Sequence, residues 1–179
     1  MIAIRKSPEG RPSRPEYLLV AALAVLLPHT IIADEFPTDQ ADGDIFFDIG
    51  SMNAKPSLGF GWSNAESSGS RNYRWITHHE GDVHFELQGV RDIELWVESQ
   101  PLFLIYMRQV VAVYINNRFA GEWMCVPAHE FEVTRLEIPA RFLREGANTL
   151  TFRSAYRAQV GTEKRELSLC VDRILLRLH

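Results

Sequence analysis

Apolar and polar residues alternate with a period of two along much of the chain. Val83, Phe85 and Leu87 interleave with Asp82, His84 and Glu86, and Ile93, Leu95 and Val97 interleave with Asp92, Glu94 and Trp96. This alternation places apolar side chains on one face of a pleated strand and polar ones on the other, so it predicts half-buried β-strands. Further strands are predicted at residues 45–49, 73–77, 102–106, 110–115, 119–126, 131–138, 149–154 and 167–178. Asn116 and Asn117 sit between two of these runs, and Asn tolerates the positive φ of a tight hairpin turn. Only residues 140–144 read as helical, about one turn, closed at Gly146 where a positive φ would reverse the chain. Many short strands with turns every 8 to 12 residues predict an all-β antiparallel sandwich or barrel and argue against an α/β enzyme.

The N-terminal stretch follows a different pattern. Arg5, Lys6, Arg11 and Arg14 precede an uncharged run at residues 17–33, whose densest part, 18–27, contains only Leu, Val and Ala. A basic segment followed by about ten apolar residues matches an export signal, either cleaved after Ala33 or retained as an anchor helix. The expected organisation is therefore a signal or anchor at 1–33, a solvated Asp-rich linker at 34–44, and one sandwich domain at 45–179. The expected location is exported: periplasmic, extracellular or membrane-anchored, with the membrane touched only through the N-terminal segment. Losing the four basic and two acidic residues of 1–33 takes the net charge from −4 to −6. A nucleic-acid partner is disfavoured by this acidic balance, because backbone binding needs clustered Lys and Arg. Cys125 and Cys170 are the only cysteines; an exported chain permits one disulfide between them if their Cα atoms lie within about 7 Å.

Three segments carry a resemblance. The segment VYINNRFAGEW at 113–123 and the segment LEIPARFLREGANTLTF at 136–152 resemble the back half of galactose-binding-like jelly-roll domains. There a V-x-V-N-G hairpin leads to a G-x-W strand and later to an I-P-x-x-x-L-x-x-G-x-N-x-L turn. Asn117 stands here where that hairpin usually has Gly. The segment LGFGWSNAESSGSRNYRW at 58–75 looks like the G-W…E…R-W stretch of such modules appended to bacterial surface-polysaccharide enzymes. The resemblance implies a jelly-roll β-sandwich and a carbohydrate-binding role without catalysis. A structural calcium in the loops is common in such folds, with Asp42, Asp44 and Asp48 as the oxygen-rich candidates.

The residues with chemistry are few. Trp62, Tyr73, Trp75, Trp96 and Trp123 are candidate sugar platforms, since an aromatic face offers a flat apolar surface to pyranose CH groups while Arg, Asn and Glu bind hydroxyls. For Trp123, core packing is the simpler expectation. The ligand rim is expected at Trp62, Glu66, Arg71, Tyr73, Arg74 and Trp75, and an Arg74–Glu66 ion pair would make the same segment architectural. His78, His79, Glu80, Asp82 and His84 form the densest group of metal-ligand types, with a solvated turn as the plainer reading. No nucleophile elbow, zinc-protease helix, phosphate loop or dinucleotide fingerprint is present in the sequence. The leading expectation is a carbohydrate-binding module. The alternatives are an envelope module in which the same aromatics are buried and an exposed sheet contacts a protein partner, and a small jelly-roll hydrolase.

Overall fold

The structure is a computed structural model that describes residues 30–33, 35–125, 130–159 and 161–179. Eleven strands form in chain order: β1 (Thr30–Ala33), β2 (Ile45–Asp48), β3 (Glu66–Ser68), β4 (Arg71–Trp75), β5 (Glu80–Leu87), β6 (Ile93–Pro101), β7 (Val110–Ile115), β8 (Arg118–Met124), β9 (Glu132–Ile138), β10 (Gly146–Ser154) and β11 (Leu169–Leu178). Two single-turn 3₁₀ segments, Lys55–Ser57 and Ala140–Phe142, are the only helical pieces among the described residues, and none of those residues forms a helix long and apolar enough to cross a membrane. The strands make two antiparallel sheets. The larger has the order β1-β9-β6-β11-β4-β3 with β2 also on β11, and the smaller has the order β5-β10-β7-β8. The expected all-β sandwich is what the chain builds. Of the segment 1–33 expected as an N-terminal signal or anchor helix, residues 1–29 lie outside the described residues, and Thr30–Ala33 are strand β1.

The alternation that predicts the strands also fills the space between the sheets. Val83, Phe85 and Leu87 of β5, Val111, Val113 and Ile115 of β7, and Leu150 and Phe152 of β10 meet Leu95 and Val97 of β6, Leu136 and Ile138 of β9, and Ile174 and Leu176 of β11. Trp123 is part of this core, edge-on to Phe152 with ring centroids 6.0 Å apart. Strand β11 pairs with β6 over most of its length, and a bulge between Val171 and Arg173 shifts the register. One inserted residue opposes two positions to one on the partner. Val171 and Ile174 therefore both stay in the core, while Asp172 and Arg173 line a hollow on the outer face.

The turns explain two of the resembling segments. Asn116 and Asn117 have φ of 52° and 64°, the pair of positive values that a two-residue hairpin between twisted strands needs. Gly146 has φ of 77°, and Asn148 ties its turn together. Asn148 accepts hydrogen bonds from Asn116 Nδ2 at 2.8 Å and Arg144 N at 3.0 Å, and donates to the carbonyls of Arg144 at 2.7 Å and Gly146 at 2.9 Å. All four hydrogen-bonding positions of a buried amide are used.

Three expectations are corrected. Residues 102–106 do not form a strand; they enter a hairpin in which Leu104 and Met107 make one isolated bridge, because Tyr156 Oη donates to the carbonyl of Leu102 at 2.9 Å and pins the segment. The segment at 34–44 is not wholly solvated, since Phe36 is buried against Val133, Leu175 and Trp96 on the outer face of the large sheet and Asp44 accepts from the backbone of Leu178 at 3.3 Å. The two cysteines are free. Cys125 packs in the core, whereas Cys170 turns to the outer face of the large sheet, so the sheet itself separates them. In addition Thr30–Ala33, at the end of the expected export segment, pairs with Val133 to Leu136 of β9.

Replacing Asn148 by Ala removes the hydrogen bonds that close this part-buried turn and is expected to cost about 2 kcal/mol, measured as a shift in chemical denaturation with the fold retained. Burial pushes the Cys125 thiol up to about 12 and raises Cys170 as well. Native protein is therefore expected to resist maleimide at neutral pH, and denatured protein to take up two equivalents, counted by mass spectrometry.

Candidate functional site

Strand β4 is the organising element. Along Arg71–Trp75 the side chains alternate, so Arg71, Tyr73 and Trp75 share the outer face and Arg74 points the other way. Arg74 is buried and donates from Nε to the carbonyl of Ile49 at 2.8 Å and from Nη1 to that of Ser63 at 2.9 Å. It holds the 49–63 loop against the strand. The expected Arg74–Glu66 ion pair does not form; Glu66, on β3 opposite Tyr73, pairs instead with Arg165 at 2.6 Å.

Trp62 is also drawn away from the rim. Its indole packs against the core, and Nε1 donates to the carbonyl of Asp82 at 2.7 Å. The chain reaches this position only because Gly61 has φ of 95°, where a Cβ would stand 1.9 Å from the carbonyl oxygen of Glu80. Trp62 thus anchors the loop to β5, and Glu66 secures the end that faces residues 163–165.

Arg71, Tyr73 and Trp75 line one side of an open groove of about 490 Å³ on the outer face of the large sheet. Its other described walls are Ser68, Gln100, Cys170, Glu130 and Phe131. Register places Gln100 beside Cys170 and Cys170 beside Trp75, so the floor crosses β6, β11 and β4. The Tyr73 ring lies 6.4 Å from Trp75 at 88° and 6.0 Å from Phe131. The Arg71 guanidinium stacks over Phe131 at 4.8 Å. Burial raises the Tyr73 hydroxyl, with Cys170 and Glu66 adding to the effect, so it is a neutral donor at ordinary pH.

A charge network fixes the groove's polar end. Arg71 bonds to Glu98, and to Asp172 at 3.0 Å, and Arg173 Nε reaches the second oxygen of Glu98 at 2.6 Å. Glu98 and Asp172 are buried. The Arg71 guanidinium is raised chiefly by its hydrogen bond to Glu98. Burial, then the nearby Glu98, lifts the Asp172 carboxyl above the ordinary carboxylate range, against the pull of Arg71. Two guanidinium groups thus face two carboxyl groups, which leaves Arg71 positioned without a large unpaired charge.

The other candidates are dispersed. Trp96 lies on the same outer face but under Phe36, with Nε1 on Glu94 at 3.1 Å. His78 stacks on Phe60 at 4.5 Å, Glu80 pairs with Arg153 at 2.8 Å, Asp82 accepts from Thr151 at 2.6 Å, and His84 bonds to Thr149 at 3.3 Å. Asp44 is held by Arg177 at 3.3 Å. No group of three His, Cys, Asp or Glu side chains near enough to share a metal ion occurs among the described residues. The groove residues missed by sequence reasoning are Ser68, Gln100, Glu130, Phe131 and Cys170. Gln100 alone carries a signal, because it continues the outward series Glu94, Trp96, Glu98 along β6.

Neither a family model nor a curated protein matches the chain in sequence. Solved structures match its fold. The GH26-CBM35 β-(1,4)-mannanase of Podospora anserina is 15% identical, covering 78% of this chain and 28% of that one, with a TM-score of 0.51. The GH115 4-O-methyl-α-glucuronidase BtGH115A, with specificity for decorated arabinogalactans, is 7% identical over 82% of this chain and 19% of its own, at a TM-score of 0.50. A family 35 carbohydrate-binding module from Clostridium thermocellum is 11% identical over 74% of this chain and 98% of its own, at 0.49. The chain thus spans under a third of the two enzymes. Its fold is an all-β sandwich of two antiparallel sheets, similar to a part of each of those two enzymes.

Proposed function

We propose that the chain is an exported, non-catalytic carbohydrate-binding module that takes a neutral saccharide in the outer-face groove, in association with envelope or extracellular polysaccharide. The observation that carries this reading is the wall of that groove. Three aromatic rings, Tyr73, Trp75 and Phe131, stand beside Arg71, Gln100, Ser68 and Glu130 in an open trough. Rings offer stacking area to sugar CH groups, and the polar side chains offer donors and acceptors to hydroxyls. Pairing of Arg71 with Glu98 and Asp172 supports a neutral ligand. Glu130 is the one carboxylate among the described groove residues, whereas glycoside hydrolysis uses two flanking the scissile bond, which favours binding over cleavage. Export rests on the basic and then apolar order of residues 5–33. In this reading Arg74 and Trp62 serve the site by fixing the loop next to β4.

The full chain on a glycan array, followed by titration calorimetry with the retained glycan, tests the reading. Trp75→Ala and Tyr73→Ala are each expected to weaken binding about tenfold, the equivalent of one lost ring contact, with melting temperature little changed. Trp62→Ala is expected to lower the melting temperature instead. Failure to retain any glycan, or affinity indifferent to both groove substitutions, would overturn it.

A further inference from the structure

The segment between β6 and β7 ends in a hairpin tip that does not follow turn chemistry. The amide of Met107 donates to the carbonyl of Leu104 at 3.0 Å, which leaves Ile105 and Tyr106 as the two central residues. Two-residue turns favour Asn, Gly and Asp. Other tight hairpins here obey that rule, β3–β4 with Gly69 and β7–β8 with Asn116 and Asn117. At this one, Ile105 is 76% and Tyr106 97% exposed, and the flanking Met107 and Met124 are exposed as well.

The base beneath the tip is firmly held. Leu102 is buried and its amide donates to the carbonyl of Ser168 at 2.8 Å. Tyr156 Oη reaches the carbonyls of Leu102 and Met107, and the buried Gln109 bonds through Nε2 to the carbonyls of Tyr156 and Ser168. A rigid stem therefore carries consecutive apolar side chains into solvent. Residues 99–117 contain no acidic side chain and one basic one, Arg108, which lies at the foot of the tip with Nη1 3.8 Å from Met124 Sδ.

We propose that this tip, Ile105 to Met107 with Arg108 at its rim, inserts into the interfacial layer of a lipid bilayer. Size decides against a protein partner: a stable interface buries about 800 Å² on each side, far more than a two-residue tip presents. A headgroup layer accepts so small a wedge. Tyr is suited to that depth because its ring is apolar and its hydroxyl wet, and an adjacent guanidinium can meet lipid phosphate. The proposal is independent of the saccharide groove, which is built on β4 and its neighbours.

The full chain carrying Ile105→Cys, labelled with a nitroxide, tests this on phosphatidylcholine vesicles with and without phosphatidylglycerol; both native thiols are buried. A second label at Gln88→Cys, before β6 and so at the opposite end of that strand, is the reference. The expected result is that vesicles raise collision of the 105 label with bilayer-dissolved oxygen and lower its collision with an aqueous nickel chelate, while the 88 label stays aqueous. Adding Tyr106→Asp is expected to return the 105 label to water without changing the melting curve. A 105 label that remains aqueous on vesicles that have captured the chain would overturn the proposal, because binding would then be due to another segment. Concentration-dependent immobilisation of that label without lipid, abolished by Tyr106→Asp, would overturn it in favour of a second copy of the chain.

Discussion

Everything on the large sheet depends on β11 having to satisfy neighbours on both of its edges. It runs beside β6 on one edge, while its other edge is shared end to end by β4, at Cys170 and Val171, and β2, at Arg173 to Leu176. The two partners on that edge meet between Val171 and Arg173. The bulge at Asp172 lies where β4 gives way to β2, and it keeps apolar side chains directed inward on both sides of the change. The same insertion sends Asp172 and Arg173 outward together, and that makes the four-member charge network with Arg71 and Glu98 geometrically available.

Buried charges are costly unless paired and hydrogen-bonded. Here the cost is met across the sheet: Glu98 comes from β6, Asp172 and Arg173 from β11, and Arg71 from β4. The network therefore reports correct registration of three strands at once. Its upper edge is also the polar end of the aromatic groove, so the pieces that align the sheet also fix where Arg71 stands relative to Tyr73 and Phe131. Fold and candidate site meet at Arg71, so a change there touches both.

How much of this could be read from the sequence follows from distance along the chain. The alternation at 83–87 and 93–97, the Asn116–Asn117 hairpin and the Gly146–Asn148 turn are local, and each appears in the structure where the pattern puts it. Tyr73 and Trp75 were legible for the same reason, as alternate positions on one strand. The partners they meet were not: Gln100 and Cys170 come from other strands and Phe131 from the residue just before β9, and only the sheet order brings them together. Glu66 illustrates the limit, because its partner Arg165 lies 99 residues on, whereas the nearer Arg74 is taken by three backbone carbonyls. The apolar run at 102–106 misleads for a related reason, since Tyr156 and Ser168, remote in sequence, hold its base. The bulge in β11 coincides with the polar pair Asp172–Arg173, the break in an otherwise largely apolar run.

The placement of the two sulfurs on opposite sides of one sheet has a consequence for where this fold can exist. Nothing that closes the sandwich awaits an oxidant, so the folded chain has the same covalent form in a reducing compartment as in an oxidising one. A scaffold of this kind needs no disulfide for its integrity, and it can be completed on either side of a membrane without help from disulfide-forming machinery.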